Sequence, residues 1–124
     1  MSGQEINSIL NEFESNTEGV LGCSIITAAD ALTLAESSQK FDSMVINWLG
    51  EKVLSLAKET LKQLLESYKL KSVTIEEESH LIYLRPIGDK FYAVIITSTE
   101  ENKGLIEFNL KKLQKSLEPL LAQF

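Results

Sequence analysis

A length of 124 residues with 44% hydrophobic and 24% charged side chains is typical of one globular domain, here residues 1–124. The net charge of −6 argues against a nucleic-acid surface, which needs a basic stripe, and against binding to anionic membranes. Cys23 is the only cysteine, so an internal disulfide is excluded. No apolar stretch approaches about 18 residues and no signal-peptide pattern is present, so we expect a cytoplasmic protein without membrane insertion.

The first third of the chain predicts a helix followed by two strands. Apolar residues recur at helical spacing at Ile6, Ile9, Leu10 and Phe13. Residues 20–27 are apolar or small at both parities, which predicts a strand covered on both faces, with Val20 and Ile26 on the same face. Residues 28–31 predict a turn, and the alternation over residues 32–35 predicts a second, half-buried strand.

Residues 42–68 form the longest helical pattern of the chain. Their apolar side chains cover an arc of roughly 200°, about twice the ~100° stripe that packing against one sheet requires. The arc consists of Val45, Ile46, Leu49, Val53, Leu54, Leu56, Ala57, Leu61, Leu64, Leu65 and Tyr68. Such width predicts two neighbours for this helix, a sheet and something else. Gly50 and Ala57 are small residues on the arc that would allow a second helix to approach closely.

The remainder of the chain predicts three strands and a last helix. Residues 72–77 alternate as an edge strand does, residues 81–85 form the next strand, and residues 86–89 predict a hairpin turn. Residues 91–97 are apolar on both faces, which indicates a central strand. The last helix has apolar residues at helical spacing, and Pro119 is expected to kink or end it. That apolar stripe consists of Ile106, Leu110, Leu113, Leu117 and Leu121.

The predicted fold is therefore a single α/β (α+β) domain with the element order α-β-β-α-β-β-β-α. The first and fifth strands are expected at the centre of the sheet, and the second and third at its edges. The simplest five-stranded antiparallel sheet with this property has the order 2-1-5-4-3. The long helix is expected on one face and the two terminal helices on the other.

The first hairpin and the start of the last helix carry a resemblance to a known family. Residues 20–26 fit that family's apolar-Gly-x-x-apolar-apolar strand, residues 32–35 fit its Leu-x-Leu-Ala strand, and residues 102–106 fit its glycine-opened last helix. The chain resembles the roadblock (dynein light chain) family over essentially its whole length, in particular the small-GTPase-regulating members of the bacterial and archaeal type. Asp30-Ala31 stands where the family usually has Asp-Gly, so a longer turn is expected here.

The resemblance implies a homodimer in which the long helix packs against its twin and the third strands pair edge to edge. The wide apolar arc and the edge strand both need a partner, so the residues themselves favour the same contacts. The alternative is that loops of a monomer bury the arc. The predicted dimer interface consists of Gly50, Leu54, Ala57, Leu61, Leu65, Val73 and Ile75.

No constellation of residues indicates an enzyme, a cofactor or a metal site. The sequence has no Gly-x-x-x-x-Gly-Lys-Ser/Thr, Gly-x-Gly-x-x-Gly or Gly-x-Ser-x-Gly motif. His80 follows three glutamates at positions 76–78. Alternate residues of a strand point to opposite faces, so we expect a solvated acidic edge rather than a metal site. Cys23 lies in an apolar strand without a neighbouring base and is expected to serve packing.

Met44 and Trp48 lie one turn apart on the long helix, outside its apolar arc. Tryptophan and methionine are enriched at protein interfaces, which favours a partner-binding surface. The alternative is that the helix begins later and that both side chains cover the edge of the sheet or the rim of the dimer. The predicted partner-binding residues are Met44, Trp48, Glu51, Lys52 and Glu59.

The resemblance implies a non-enzymatic homodimeric scaffold that binds and regulates a Ras-like small GTPase. The only arginine, Arg85, lies in a strand, so the long helix supplies no arginine finger. The alternative function is a structural light-chain subunit of a motor or membrane-tethered assembly, whose binding would not depend on nucleotide. A small-ligand sensor is a third possibility, but no convergent polar cluster in the sequence supports it.

Overall fold

The computed structural model describes residues 2–37, 41–67, 69–98 and 103–124, so Tyr68 and residue 102 of the predictions above lie outside it. The order of elements is the predicted one. Within the described ranges, no helix combines the length and the apolar character needed to cross a bilayer. The elements are α1 (Ser2–Asn16), β1 (Val20–Thr27), β2 (Thr33–Glu36), α2 (Ser43–Leu65), β3 (Val73–Glu76), β4 (His80–Ile87), β5 (Phe91–Ser98) and α3 (Lys103–Leu121).

The strands form one antiparallel sheet in the order β2-β1-β5-β4-β3, as predicted. β5 is the central strand and pairs with β1 on one side and β4 on the other. Every residue from Phe91 to Thr97 is buried. Successive side chains of a strand point to opposite faces, so β5 contributes to two separate cores.

Helices α1 and α3 together cover one face of the sheet. Phe91, Ala93 and Ile95 of β5 point into this core, where they meet apolar side chains of both helices. All five residues of the stripe predicted for α3 are buried there. At the β4 end of this face, Arg85 Nη2 lies 2.7 Å from Glu107 Oε2 and ties the strand to α3.

Helix α2 lies on the opposite face. Tyr92, Val94 and Ile96 of β5 point to this side and form a smaller core with residues of the neighbouring strands. Leu54 is the large apolar residue of α2 buried in that core. The helices therefore cover both faces, two on one and one on the other, as predicted.

The expected side-chain alternation of β1, with Leu21 on the face of Cys23 and Ile25, is wrong at its first two residues, because Leu21 packs on the α2 side of the sheet. Val20 belongs to the α1–α3 core, whereas Ile26 belongs to the α2 core. The pairing of β1 with β5 shifts register between Val20 and Gly22. A bulge adds one residue to a strand, so the alternation of faces restarts after it.

Both prolines lie inside regular elements, and the prediction of a turn that begins at Pro86 is wrong. β4 continues through Pro86 to Ile87, so the predicted hairpin turn begins two residues too early. β3 pairs only with residues 81–84 of β4; Pro86 therefore lies where the strand has no neighbour on its outer side, and its missing N–H costs no ladder bond. α3 likewise continues past Pro119 to Leu121.

The turn between β1 and β2 spans residues 28–32, which confirms the longer turn. Ala31 has a φ of 54°, a left-handed conformation that normally favours glycine. Thr27 Oγ1 organises the turn, because it bonds the Asp30 carboxylate and accepts from the Leu32 N–H at 3.1 Å. Side-chain bonds thus hold a turn in which the usual glycine is missing.

The outer edge of β2 is tied to α1 and α2. The Glu36 N–H donates to Asn7 Oδ1 at 3.1 Å, and Ser43 Oγ donates to the Glu36 carboxylate at 2.9 Å. Among the described residues, no side chain makes a comparable bond to the outer backbone edge of β3, where Ile75 is exposed. The two edges of the sheet are therefore unequal within the described residues.

Candidate functional site

Helix α2 begins at Ser43 because Asp42 caps it. The Asp42 carboxylate accepts from the N–H groups of Met44 at 2.9 Å and Val45 at 3.3 Å, which satisfies donors that the first turn cannot pair itself. Met44 and Trp48 are therefore both within the helix, and the alternative of a later start is wrong.

A short chain of hydrogen bonds fixes α2 on the sheet. The buried Tyr92 hydroxyl donates to the Asn47 carbonyl at 2.9 Å, and Asn47 Nδ2 donates to Thr33 Oγ1 at 2.9 Å. Burial, with a smaller contribution from the Glu51 charge, raises the pKa of Tyr92 to about 12. The phenol therefore stays protonated at neutral pH and keeps its bond to the helix.

Two residues of the predicted dimer interface are used within the protomer. A Cβ at Gly50 would lie 3.1 Å from Tyr92 Cε2, so this glycine allows α2 to approach its own sheet. Gly50 also lines the apolar groove beside α2, so its role in the approach of a second helix stays a prediction. Leu54 is only 5% exposed, because it packs into the core beneath α2, and it offers no surface to a second copy.

One side of α2 faces an apolar groove that the described residues leave open. The groove has a volume of about 600 Å³ and lies between α2 and the outer strands of the sheet. We call it the α2–β3 groove. Its apolar lining comprises Val45, Ile46, Leu49 and Val53 from α2, and Ile75, Ile82, Leu84, Val94 and Ile96 from the sheet. Of the predicted interface residues, Gly50 and Ile75 line this groove.

The apolar flank of α2 continues beyond the groove. Leu56, Leu64 and Leu65 are all largely exposed, whereas Ala57 and Leu61 are half-buried. Exposed leucines of this number on one helix exceed what a solvated face normally carries. These exposed leucines add to the apolar surface that α2 presents beside the groove.

The opposite side of α2 carries the predicted partner-binding residues, which we call the outer face of α2. Met44 is 82% exposed and Trp48 is 60% exposed. Lys52 Nζ lies 4.7 Å from the centre of the Trp48 ring, a cation–π contact that holds the indole against the helix. Glu59 is exposed, and Glu51 is half-buried and accepts from Ser55 Oγ at 2.8 Å.

Of the three glutamates and the histidine singled out in the sequence, Glu77 and His80 line the groove. His80 Nδ1 lies 2.9 Å from Glu77 Oε1, and this hydrogen bond holds the pKa of Glu77 below its usual range. Among the described residues, no group of three or more histidine, cysteine or carboxylate side chains could hold a metal ion. Cys23 is buried, and burial raises the pKa of its thiol far above the usual range.

Solved structures of other proteins superpose on this chain over nearly its whole length. Myxococcus xanthus MglB superposes with a TM-score of 0.86 at 15% sequence identity, over 98% of this chain and 90% of that one. The Roadblock/LC7 domain from Streptomyces avermitilis gives a TM-score of 0.83 at 14% identity, over 94% of this chain and 97% of that one. The chain has a roadblock fold.

A third similar structure is that of the gliding protein MglB from Thermus thermophilus. Its TM-score is 0.81 at 13% identity, over 99% of this chain and 93% of that one. At the level of sequence, no family model and no curated protein matches the chain. The resemblance read from the first hairpin is therefore confirmed at the level of the roadblock fold.

Of the exposed phenylalanines that the sequence patterns do not single out, Phe108 is more exposed than Phe41 and Phe124. Phe108 on α3 is 60% exposed, as much as Trp48, and lies on the opposite side of the sheet. Lys112 Nζ lies 5.5 Å from its ring centre. The signal was available, because Phe108 falls outside the apolar stripe of Ile106 and Leu110, nearly opposite it when wound at 100° per residue.

Proposed function

We propose that this chain is a non-enzymatic, cytoplasmic scaffold that forms a homodimer over the α2–β3 groove and binds a Ras-like small GTPase on the outer face of α2. The proposal rests on the resemblance to the roadblock family. The observation that carries it is the position of α2 itself. This helix has an apolar flank over an open groove on one side and the exposed Met44 and Trp48 on the other.

A second copy suits the α2–β3 groove because α2 both lines the groove and carries the exposed apolar side chains that could occupy the groove of another copy. Val45 and Leu49 line the groove, and the exposed leucines at positions 56, 64 and 65 continue the flank. A two-fold axis would place each flank over the other copy's sheet, since isologous contacts use one patch twice. The same arrangement brings the β3 edges, with Val73 and Ile75, next to each other.

The outer face of α2 suits a protein partner because it joins an aromatic anchor to charges of both signs. Trp48 is the kind of residue that dominates binding free energy at interfaces, and Lys52 and Glu59 supply a polar surround. Arg85 cannot act as an arginine finger, since it is bound to Glu107 on the other side of the sheet. Any effect on the GTPase would therefore act through the switch residues of the GTPase itself.

The experiment is affinity capture with the immobilised protein from native lysate, with GDP or a GTP analogue added, followed by mass spectrometry. We expect a small GTPase that is retained in one nucleotide state. Trp48→Ala is expected to weaken that complex by about 2 kcal/mol or more, as truncation of an interface anchor does. Phe108→Ala is the matched control, because Phe108 is equally exposed on the opposite side of the sheet.

Two results would contradict the proposal. Recovery of large assembly subunits regardless of nucleotide would make the protein a structural light chain instead. An unchanged affinity of the Trp48→Ala variant for the captured GTPase would remove the outer face of α2 as the binding surface.

A further inference from the structure

The charge of α3 is opposite to that of the protein. The helix carries four lysines and two glutamates, a net charge of +2, which leaves −8 for the rest of the chain. One of the two glutamates, Glu107, is engaged by Arg85. The outward side of α3 is therefore basic: Lys112 Nζ lies 5.5 Å from the ring centre of the exposed Phe108, and Lys111 and Lys115, three and seven residues further along the helix, are exposed as well.

Helix α1, beside α3 on the same face of the sheet, has the opposite character. It carries three glutamates and no lysine or arginine. Glu5 and Glu12 are exposed, and the structure places neither of them in an ion pair among the described residues. One molecular face thus presents a basic strip and an acidic strip side by side.

A groove separates the two helices. It has a volume of about 260 Å³, more than a phenylalanine side chain occupies, and we call it the α1–α3 groove. Its apolar floor is formed by Ile9, Phe13 and Leu113, and its rims carry Glu12 on α1 and Lys112 on α3. The face therefore contains both a protruding aromatic side chain and an apolar groove in which such a side chain could be buried.

We propose that the α1–α3 face is a second self-association surface, on which Phe108 of each copy inserts into the α1–α3 groove of the other. A two-fold axis satisfies both halves of the face at once, because each copy supplies one ring and one groove. The same operation places the lysines on the outward side of α3 next to Glu5 and Glu12 of the other copy. The occupant is a second copy because the face is complementary to itself in shape and in charge.

This surface goes beyond the proposed function and lies on the other side of the sheet from the α2–β3 groove. With both surfaces in use, the protein is a tetramer, a dimer of dimers. With the α2–β3 groove blocked by Leu49→Glu, it is a dimer that depends on Phe108. The two proposals can therefore fail separately.

The test is sedimentation equilibrium of the full chain at about 0.1 M and about 1 M salt, where screening lengths are about 10 Å and 3 Å. We expect Leu49→Glu to be a dimer at low salt that dissociates at high salt. Adding Phe108→Ala should raise the dissociation constant at least about tenfold, with an unchanged circular dichroism spectrum because the ring is exposed. Lys58→Glu, on the other side of the sheet, should leave the dissociation constant unchanged. It is the charge-matched control for the Lys112→Glu variant.

Charge reversal supplies the decisive comparison. Lys112→Glu and Glu12→Lys are each expected to weaken the association, and the two together are expected to restore it. A wild-type protein that never exceeds a dimer, together with a monomeric Leu49→Glu variant, would overturn the second surface while leaving the first intact. Association that is insensitive to salt and to Phe108→Ala would overturn it as well.

Discussion

The two faces of the sheet differ in how much of each the chain covers. Five strands at about 4.8 Å spacing form a surface roughly 24 Å wide, and a helix with its side chains is about 10 Å across. Two helices, α1 and α3, cover one face, and their core contains most of the buried apolar side chains. One helix lies on the other face and leaves the α2–β3 groove open. The uncovered width has room for one further helix.

Helix α2 carries two kinds of apolar residue, those that its own sheet covers and those that the protomer leaves exposed. Leu54 points to the helix's own sheet, whereas Leu49 and Leu56 face outward from it. Apolar side chains buried within the protomer stabilise the fold at any protein concentration. Apolar side chains exposed on the protomer add to stability only when association buries them. Variants of these leucines can therefore measure what each side of α2 does.

The largest effect is expected from a charge placed in the groove. Leu49→Glu leaves the protomer folded, because Leu49 is 45% exposed, but it buries an unpaired carboxylate in the proposed dimer at a cost of about 3–5 kcal/mol. Sedimentation should show loss of the α2–β3 dimer with an unchanged circular dichroism spectrum. Leu32→Glu, at an exposed leucine of the β1–β2 turn, is the control, and equal dissociation by both variants would remove the groove as an interface.

The second prediction compares two leucines two positions apart. Leu54→Ala should lower the free energy of unfolding by about 2–4 kcal/mol, because it opens a cavity beneath α2. Leu56→Ala, at a position 69% exposed, should cost less than about 0.5 kcal/mol in a dilute monomer. Denaturant unfolding of both variants in the Leu49→Glu background gives the comparison, and equal losses would contradict the assignment of the two sides.

A smaller effect is expected where α2 begins. Asp42→Ala removes the cap of the Met44 and Val45 N–H groups and should destabilise the protein by about 1 kcal/mol. Asp42→Asn is the control, since asparagine caps nearly as well, and it should cost a few tenths at most. Thermal unfolding of the two variants checks the prediction. A loss of the same size in both would mean that the charge of Asp42, rather than its cap, stabilises the helix.

The smallest effect is expected at alkaline pH. The pKa of Tyr92 is raised in the folded state, so the folded protein holds this proton more tightly than the unfolded chain does. Its contribution to stability is complete below about pH 10, the ordinary tyrosine pKa, and declines as the pH rises toward 12. Urea unfolding between pH 9 and pH 11, with Tyr92→Phe as the control, should show a steeper decline in the wild type.

Much of this fold follows from periodicity alone. The alternation of β5 and the stripe of α3 were read correctly, because a strand covered on both faces and a helix on a sheet leave regular patterns. Val20 was placed on the wrong face because a bulge leaves no such pattern. The contact of Gly50 with Tyr92 could not be predicted, because a sequence does not say which neighbours a small residue approaches.

The candidate site was predictable in kind but not in extent. Trp48 stood out because a single aromatic residue broke the helical pattern of α2, and its exposure is confirmed. The groove could not be read from the sequence, because Ile82 and Ile96 have the pattern of ordinary buried strand residues. Only the lateral position of α2 on the sheet leaves Ile82 half-buried and brings the buried Ile96 to the wall of the groove.

The unequal edges of the sheet limit how far strand pairing can extend. At the outer edge of β2, the Glu36 N–H donates to Asn7 Oδ1. Among the described residues, no comparable side-chain bond is made to the outer backbone edge of β3, whose residues 74–76 are exposed. A sheet with two open edges can add copies without end, as fibrils do. A sheet with one open edge can join only one other, edge to edge, after which both joined edges are used up. The hydrogen bond between Asn7 and Glu36 would therefore prevent a further copy from pairing at β2. Its loss would leave both edges of the sheet free to pair, so that copies could add edge to edge without limit.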